Sequence, residues 1–501
     1  MVLLFTHQNS QRVHYIFNVV LFARLGVTFQ ITSDWSFFVS HKSPIKIVYT
    51  DRKPVESDSE NWIWVYNAGL LHENFVREMS QEISKKTLTF RPFREDSQTL
   101  TLPFANIEAL FISPELTDNQ QYLSNEPVFC QKNIPFDIFS EIFWCLTRYE
   151  EYQWDQIISK TKEGNSFQNN TSTNPTNEKV YSADQHGRYP AKQSLLFQNG
   201  WLEIPIVDKL IWLLGYCINQ TPQDQFEIIA TADIDMALRY RGRKFYVQFG
   251  SLIKDVFTRP ILILERLKSL IKNEDPYQID LATLPILIET ENPKIFLLNH
   301  QKRTNRNKQI LSHLLKKEID RCKQHFTLNS NFWGMHPSWQ DLSNEITSKT
   351  AWAWEKSEFE NMITSPALHA RLHYIHLRLP YAYRILQQIG ISHDWSMGYP
   401  DAIGFRAGTS KPFVWYDLGL EKCTGLTIHP FCIMDVTCKN YLNLSYEIST
   451  SKANHLKQML QSLGGTFCFI FHNESVSNSF PWRGWKNTII EWTKKPNNHL
   501  D

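Results

Sequence analysis

The sequence predicts an α/β protein: a β/α barrel over its second half, preceded by a separate N-terminal domain of α/β or α+β character. Three observations carry this. Short apolar runs at 226–230, 294–299, 330–335 and 466–471 alternate with stretches of helical periodicity, the pattern of parallel β/α units. Three runs deliver chemistry-bearing residues at their C-terminal ends. FEIIA leads into Thr231-Ala232-Asp233-Ile234-Asp235, NFWGM into His336-Pro337-Ser338, and FCFIF into His472-Asn473-Glu474. At 501 residues and 42% hydrophobic content, the chain is long enough for two or three domains with sizeable cores.

In order along the chain, MVLLFT and KIVYT read as strands, and Val13 to Leu25 has apolar residues on a helical period. IPFDIFSEIFWCLTRYEEYQ reads as a helix whose apolar face uses Ile138, Ile142, Phe143 and Leu146. Residues 156–180 are rich in Asn, Ser and Thr and nearly free of apolar side chains, so they read as a disordered loop. Asn169-Asn170-Thr171 in that loop matches a glycosylation sequon but lacks a secretory context. A helix, VDKLIWLLGYCI, follows, and INQTPQDQ near residue 220 marks a boundary. The expected domains are therefore 1–220 and 221–501. The segment 239–272 carries nine Lys and Arg residues against Asp255 and Glu265 on an amphipathic background. It reads either as a solvated helix face or as a contact for an anionic membrane or glycan.

Several function classes lose support. The formal net charge is +1, so no global field draws in nucleic acid. The eight cysteines form no C-x-x-C pair and several sit in apolar runs, which points to reduced buried thiols in a cytoplasmic setting. MVLLFTHQNSQRV lacks a basic n-region and a small-residue cleavage site. No apolar run approaches the roughly 20 residues of a membrane span. The expected location is cytoplasmic, at most against the inner face of the membrane. Walker, dinucleotide, G-x-S-x-G and H-E-x-x-H motifs are all missing from the sequence.

What remains points to a polar site at the strand ends. Asp233 and Asp235 are two apart, so in a strand they share a face. Two close carboxylates repel unless a cation lies between them. The same spacing also suits a strand-end turn. His336 precedes a proline and is biased to an extended backbone. His369, His373 and His376 in LHARLHYIHLRLP read as a helical cluster, with spacings of four and three that put all three on one face. They read either as a polar face or as a source of metal ligands. Arg406 lies between small residues in Gly404-Phe405-Arg406-Ala407-Gly408-Thr409, where a carboxylate can approach it. His472 ends the most strand-like run and suits a general acid. Trp339, Trp395 and Trp415, from a total of 16 Trp, are candidates for stacking on a sugar, with core packing the alternative.

Taken in order, Thr231–Asp235, His336-Pro337-Ser338, Ser396-Met397-Gly398-Tyr399, Gly404–Thr409 and the strand ending at His472 resemble the polysaccharide deacetylases of carbohydrate esterase family 4. The likeness is greatest to a Bacteroidetes-type bacterial subgroup with an N-terminal domain of unknown function. Arg148-Tyr149-Glu150-Glu151-Tyr152 and His186-Gly187-Arg188 look like marks of that domain. The resemblance implies a distorted barrel of about seven strands. It also implies one divalent metal ion, zinc with cobalt or nickel as alternatives, and hydrolysis of N-acetyl groups on an amino-sugar polymer or its precursor, such as a bacterial surface glycan.

Carried over by residue, Asp233 corresponds to the base, Asp235 and His336 to metal ligands, Arg406 to the arginine that orients the base, and His472 to the acid. Two positions depart from the family. Ile234 separates aspartates that are usually adjacent, so base and ligand can be exchanged. Gln340 stands where a second metal histidine is usual, and His373 is the expected substitute. The alternatives are an inactive barrel serving as a glycan-binding or assembly factor, and an amide hydrolase acting on a non-sugar substrate.

Overall fold

The computed structural model describes residues 1–54, 62–73, 85–90, 102–104, 106–113, 128–129, 132–164, 182–242, 245–258, 260–272, 274–298, 312–325, 330–339, 342 and 344–496. It divides into two compact units. The first comprises 1–226, 405–425 and 460–465, and the second comprises 227–404, 426–459 and 466–501. The first unit thus gathers two segments from far beyond residue 220, a feature no local composition shift reveals.

In the first unit, β1 (Val2–Phe5), β2 (Phe29–Thr32), β3 (Ile45–Thr50), β4 (Trp62–Tyr66) and β8 (Asn133–Ile134) form a parallel sheet in the order β2-β1-β3-β4-β8. β5 (Lys85–Phe90), β6 (Asn106–Leu110) and β7 (Val128–Phe129) form a second, three-stranded sheet. Leu3, Phe5, Phe38, Val48, Trp62 and Trp64 make one buried cluster, so much of the aromatic content here is core. The helix expected from Ile138 is real, and all four residues of its anticipated apolar face are buried. It stops at Thr147 because Arg148 takes a left-handed conformation, φ 54°. A second helix, Tyr149–Gly164, continues beyond, so 156–164 are helical rather than loop. The rest of that expected loop, with the Asn169 sequon, lies outside the described residues.

Arg406 belongs to this first unit. Its guanidinium makes a two-pronged pair with Glu151, Nε to Oε1 at 2.9 Å and Nη2 to Oε2 at 2.6 Å. Arg148 donates to Glu151 and Glu150. The R-Y-E-E segment singled out in the sequence is therefore a buried ion-pair network. Burial would raise the Glu151 carboxyl, but Arg406 and Arg148 outweigh it and hold the group below its usual range.

The second unit is built on β9 (Glu227–Ile234), β10 (Lys294–Leu297), β11 (Trp333–Met335), β12 (His369–Ala370), β13 (His393–Met397), β15 (Lys422–Pro430), β16 (Ile433–Met434) and β17 (Thr466–His472). With β14 (Phe413–Asp417), these form a nine-stranded sheet in the order β14-β15-β13-β12-β11-β10-β9-β17-β16. From β15 through β16 the described pairings are parallel. The sheet is a half-barrel of nine strands with two free edges. The resemblance implied a distorted barrel of about seven strands; the outermost members here are β14, joined to β15 by a tight turn, and the two-residue β16. Inside the curve, Ile229, Phe296, Ile375, Trp395, Phe431, Met434, Cys468 and Ile470 form one buried cluster.

Gly334 is required where β11 meets this core. A Cβ there would lie 2.4 Å from the Phe296 ring and 3.2 Å from the His369 carbonyl. Phe296 is fully buried and cannot withdraw. Gly334→Ala should therefore cost about 1–3 kcal/mol of stability, read by chemical denaturation. An unchanged denaturation midpoint would contradict the packing described.

Candidate active site

Parallel register brings the polar residues together. His472 pairs with Asp233 across β17 and β9, and Phe296 pairs with Asp233 across β10 and β9. The ladder continues past the strands: His336 N–H donates to the Leu297 carbonyl, Arg371 N–H to Met335, and His373 N–H to Pro337. Each strand therefore ends at a similar height and delivers its next side chain to the same end of the sheet.

Asp235, His336 and His373 converge. His336 Nε2 lies 3.3 Å from Asp235 Oδ1, and His373 Nε2 lies 3.5 Å from Asp235 Oδ2. One donor atom from each of the three lies within 4.8 Å of the others. His336 Nδ1 is 2.6 Å from the Arg371 carbonyl. A carbonyl only accepts, so Nδ1 carries a proton and Nε2 is the ring nitrogen turned towards the carboxylates. The turn behind His336 is fixed as well. Glu355 accepts from the Ser338 N–H and hydroxyl, and the Trp352 indole donates to the Ser338 carbonyl. On the other side, Asn473 donates to the carbonyls of Met236 and Tyr277, tying the chain after Asp235 to the end of β17.

The ionisation states suit a cation. Burial lowers His373 below the ordinary imidazole value, which leaves it neutral near pH 7. Burial would raise Asp235, but His373, hydrogen bonding to His336 and the charge of His472 together hold its carboxyl well below the usual range. An anionic carboxylate beside a neutral imidazole suits the binding of a divalent ion.

Asp233 is buried and faces a different partner. Arg371 Nη1 donates to Asp233 Oδ1 at 2.8 Å. Arg371 is itself anchored, with Nε donating to the Trp395 carbonyl at 2.9 Å and the guanidinium carbon 4.4 Å from the centre of the Phe296 ring. The arginine beside this aspartate is therefore Arg371. Arg406, expected there, is engaged with Glu151 in the other unit, because the 405–425 segment folds with the N-terminal part of the chain.

His472 is paired with Asp435. Asp435 Oδ1 lies 2.8 Å from His472 Nδ1, and Asp435 Oδ2 accepts the His472 backbone N–H at 2.7 Å. Burial alone would lower this imidazole. The charge of Asp435 and its hydrogen bond, helped by Asp235 and Asp233, outweigh burial and push it up to about 10.

The three histidines of LHARLHYIHLRLP do not share a helix face. His369 and Ala370 are a strand, and a single tight turn covers His373–Ile375. Tyr374 and Ile375 both have positive φ, 61° and 51°, which a helix excludes. His369 instead accepts from the Trp395 indole and stacks on His393 at 4.5 Å, while His376 lies against Trp339. Only His373 reaches the donor set.

The tryptophans separate too. Trp395 is 3% exposed and stacked flat on His429 at 4.0 Å, so it is core and offers no face to a ligand. Trp415 is equally buried, in β14 of the first unit. Trp339 is 39% exposed, directly after the His336-Pro337-Ser338 turn. Tyr374, absent from the sequence reading, is 45% exposed and stacks on His373 at 4.0 Å. Gln340 lies outside the described residues.

The family model that matches the chain is a family of unknown function, DUF7033, over residues 2–175 and 176–223. Among curated proteins none is significantly similar in sequence. Solved structures similar to the chain include a candidate polysaccharide deacetylase from Mycobacterium smegmatis, with 11% identity and a TM-score of 0.34, covering 54% of this chain and 82% of that one. A 4-alpha-glucanotransferase from Thermococcus litoralis has 12% identity and a TM-score of 0.30, covering 55% and 37%. A polysaccharide deacetylase from Bacillus cereus has 9% identity and a TM-score of 0.23, covering 55% and 93%. Overlaps this loose assign no activity, and the functional reading rests on the side chains.

The raised His472 gives a pH-dependent outcome. A group whose folded pKa lies above its ordinary 6.5 contributes stability that is complete below 6.5 and lost as pH rises through about 10. In the metal-free protein, a histidine NMR titration should show the His472 imidazole retaining its proton well above pH 8. Asp435→Asn should return it towards or below 6.5. A wild-type His472 titrating near 6.5 would contradict the pairing.

Proposed function

We propose that the chain is a metal-dependent hydrolase that removes N-acetyl groups from an amino-sugar polymer or its precursor, of the polysaccharide deacetylase type and from the subgroup with an N-terminal domain of unknown function. The observation that carries this reading is the division of labour between two aspartates on one strand. Asp235 lies against His336 and His373 in a donor set that fits a divalent ion, and Asp233 is held apart by Arg371. The proposed ligand set is Asp235, His336 and His373, with zinc the expected metal and cobalt or nickel alternatives. When bound, such an ion polarises a carbonyl and makes a water molecule more acidic.

The residues of the chain supply the remaining steps. Asp233 takes a proton from the attacking water. Arg371, locked between the Trp395 carbonyl and the Phe296 ring, pairs with the Asp233 carboxylate and aims it. His472, charged because of Asp435, gives its proton to the departing amine, which is a poor leaving group without one. Neither Arg371 nor Asp435 reacts. They set the charge and direction of the groups that do. Tyr374, stacked on His373, and Trp339, three residues after His336, are exposed rings and suit the apolar face of a sugar. The nearness of His373 to Asp235 and His336 favours this reading over an inactive, glycan-binding barrel.

The experiment is acetate release from N-acetylglucosamine oligomers by metal-loaded protein. Wild type should release acetate, and chelation should stop it. Asp233→Asn and His472→Gln should each lower kcat by about 10²–10⁴ with metal content unchanged. Metal-loaded protein that releases no acetate from any N-acetylated oligomer, or His472→Gln at wild-type rate, would overturn the proposal.

A further inference from the structure

The connection from β9 to β10 carries a helical hairpin with its polarity reversed. The helices are Phe245–Thr258 and Ile261–Lys272. A helix packed on a protein normally turns its apolar stripe inward. Here two of the three buried residues described on the second helix, Arg266 and Ser269, are polar, and Leu262 is the third. Arg266 is buried, donates to Asp255 at 2.6 Å and lies 4.7 Å from the centre of the Tyr240 ring, while the Tyr240 hydroxyl donates to Glu265 at 2.8 Å. Asp275 accepts from the backbone N–H groups of Arg239, Tyr240 and Arg241, fixing the base of the hairpin.

The outward sides carry the large apolar residues. On the first helix, Tyr246, Phe249, Ile253, Val256 and Phe257 fall on one face by helical spacing, and all are exposed, Phe257 to 83%. On the second, Leu264, Leu267 and Ile271 do the same, Ile271 to 81%. Lys268 and Lys272 are exposed one position after Leu267 and Ile271, so basic heads flank the apolar stripe. Both acidic residues of the hairpin are already tied to bases, Asp255 to Arg266 and Glu265 to Arg239. Nine Lys and Arg residues lie within 239–272, in a chain whose net charge is +1.

An anionic polymer would be met by charge alone and gives no account of eight large apolar residues held in solvent. A second protein surface gives no account of the one-sided charge. A lipid surface with anionic headgroups explains both. Phe257, Ile271 and Leu264 would enter the acyl boundary, while the lysines keep their stems along it and their heads at the phosphates. We propose that this hairpin docks the protein on an anionic bilayer as a peripheral element. No helix among the described residues is long and apolar enough to cross a membrane. The first helix of the hairpin begins at Phe245, ten residues after Asp235 and in the same β9-to-β10 connection. The inference stands independently of the chemistry proposed for that site.

The test is co-sedimentation of the full-length protein with phosphatidylcholine vesicles, with and without phosphatidylglycerol. Binding should require phosphatidylglycerol and weaken with salt. Phe257→Ser with Ile271→Ser should weaken it about tenfold or more, with the melting temperature unchanged because both side chains are in solvent. Lys268→Glu with Lys272→Glu should abolish the preference for phosphatidylglycerol. The proposal falls if the protein stays in the supernatant at low salt or if the variants bind like wild type. It also falls if Phe257→Ser with Ile271→Ser turns a dimer into a monomer without affecting vesicle binding, since the face would then be a self-association surface.

Discussion

Two carboxylates on one strand face, two residues apart, cannot both stay ionised unless positive charge reaches each of them. The second unit meets this constraint twice, by different means. Arg371 neutralises Asp233 directly, at 2.8 Å. Asp235 is left to two imidazoles whose free nitrogens point at it, an arrangement that invites a cation. Much of the surrounding architecture supports this division. Arg371 is pinned by the Trp395 carbonyl and the Phe296 ring, and Phe296 fits only because residue 334 has no side chain. The Arg371 carbonyl in turn fixes the His336 proton on Nδ1. One residue thus orients the proposed base with its side chain and a proposed ligand with its backbone.

The same logic sets the opposite charge state across the site. His472 is buried, which alone would keep it neutral, and Asp435 reverses that. A neutral His373 and a charged His472 then stand near the same aspartates in different protonation states. The difference is made chiefly by Asp435, which is hydrogen-bonded to His472. Separating protonation states by neighbours is how one polar site can hold an acid and a base at the same pH.

Much of this was legible in the sequence. Strands β9, β10, β11 and β17 stand out as apolar runs; Asp233 and His472 lie at the C-terminal ends of β9 and β17, and Asp235 and His336 come directly after β9 and β11. What escaped detection has physical causes. Asp435 also ends a strand, but β16 has only two residues, and a run that short carries no periodic signal. Arg371 lies inside a segment whose histidine spacing imitates a helix. Parallel pairing of Ala370 with Met335 and Asp394, and the positive φ values at Tyr374 and Ile375, override that local pattern. Arg406 was misread for the converse reason. Its small neighbours do permit close approach to a carboxylate, but that carboxylate is Glu151, more than two hundred residues away in sequence, in the other unit. Trp395 and Trp415 are consumed by packing, and exposed Tyr374 presents a ring instead.

The account depends on His373 completing a three-residue donor set with Asp235 and His336. X-ray absorption spectroscopy of the zinc-loaded protein tests this most directly. It should show two imidazole nitrogens and carboxylate or water oxygens at about 2.0–2.2 Å, with no sulfur. His373→Ala should remove one nitrogen shell and weaken zinc retention. A protein that retains no zinc, a sulfur-ligated ion, or a His373→Ala spectrum identical to wild type would contradict it.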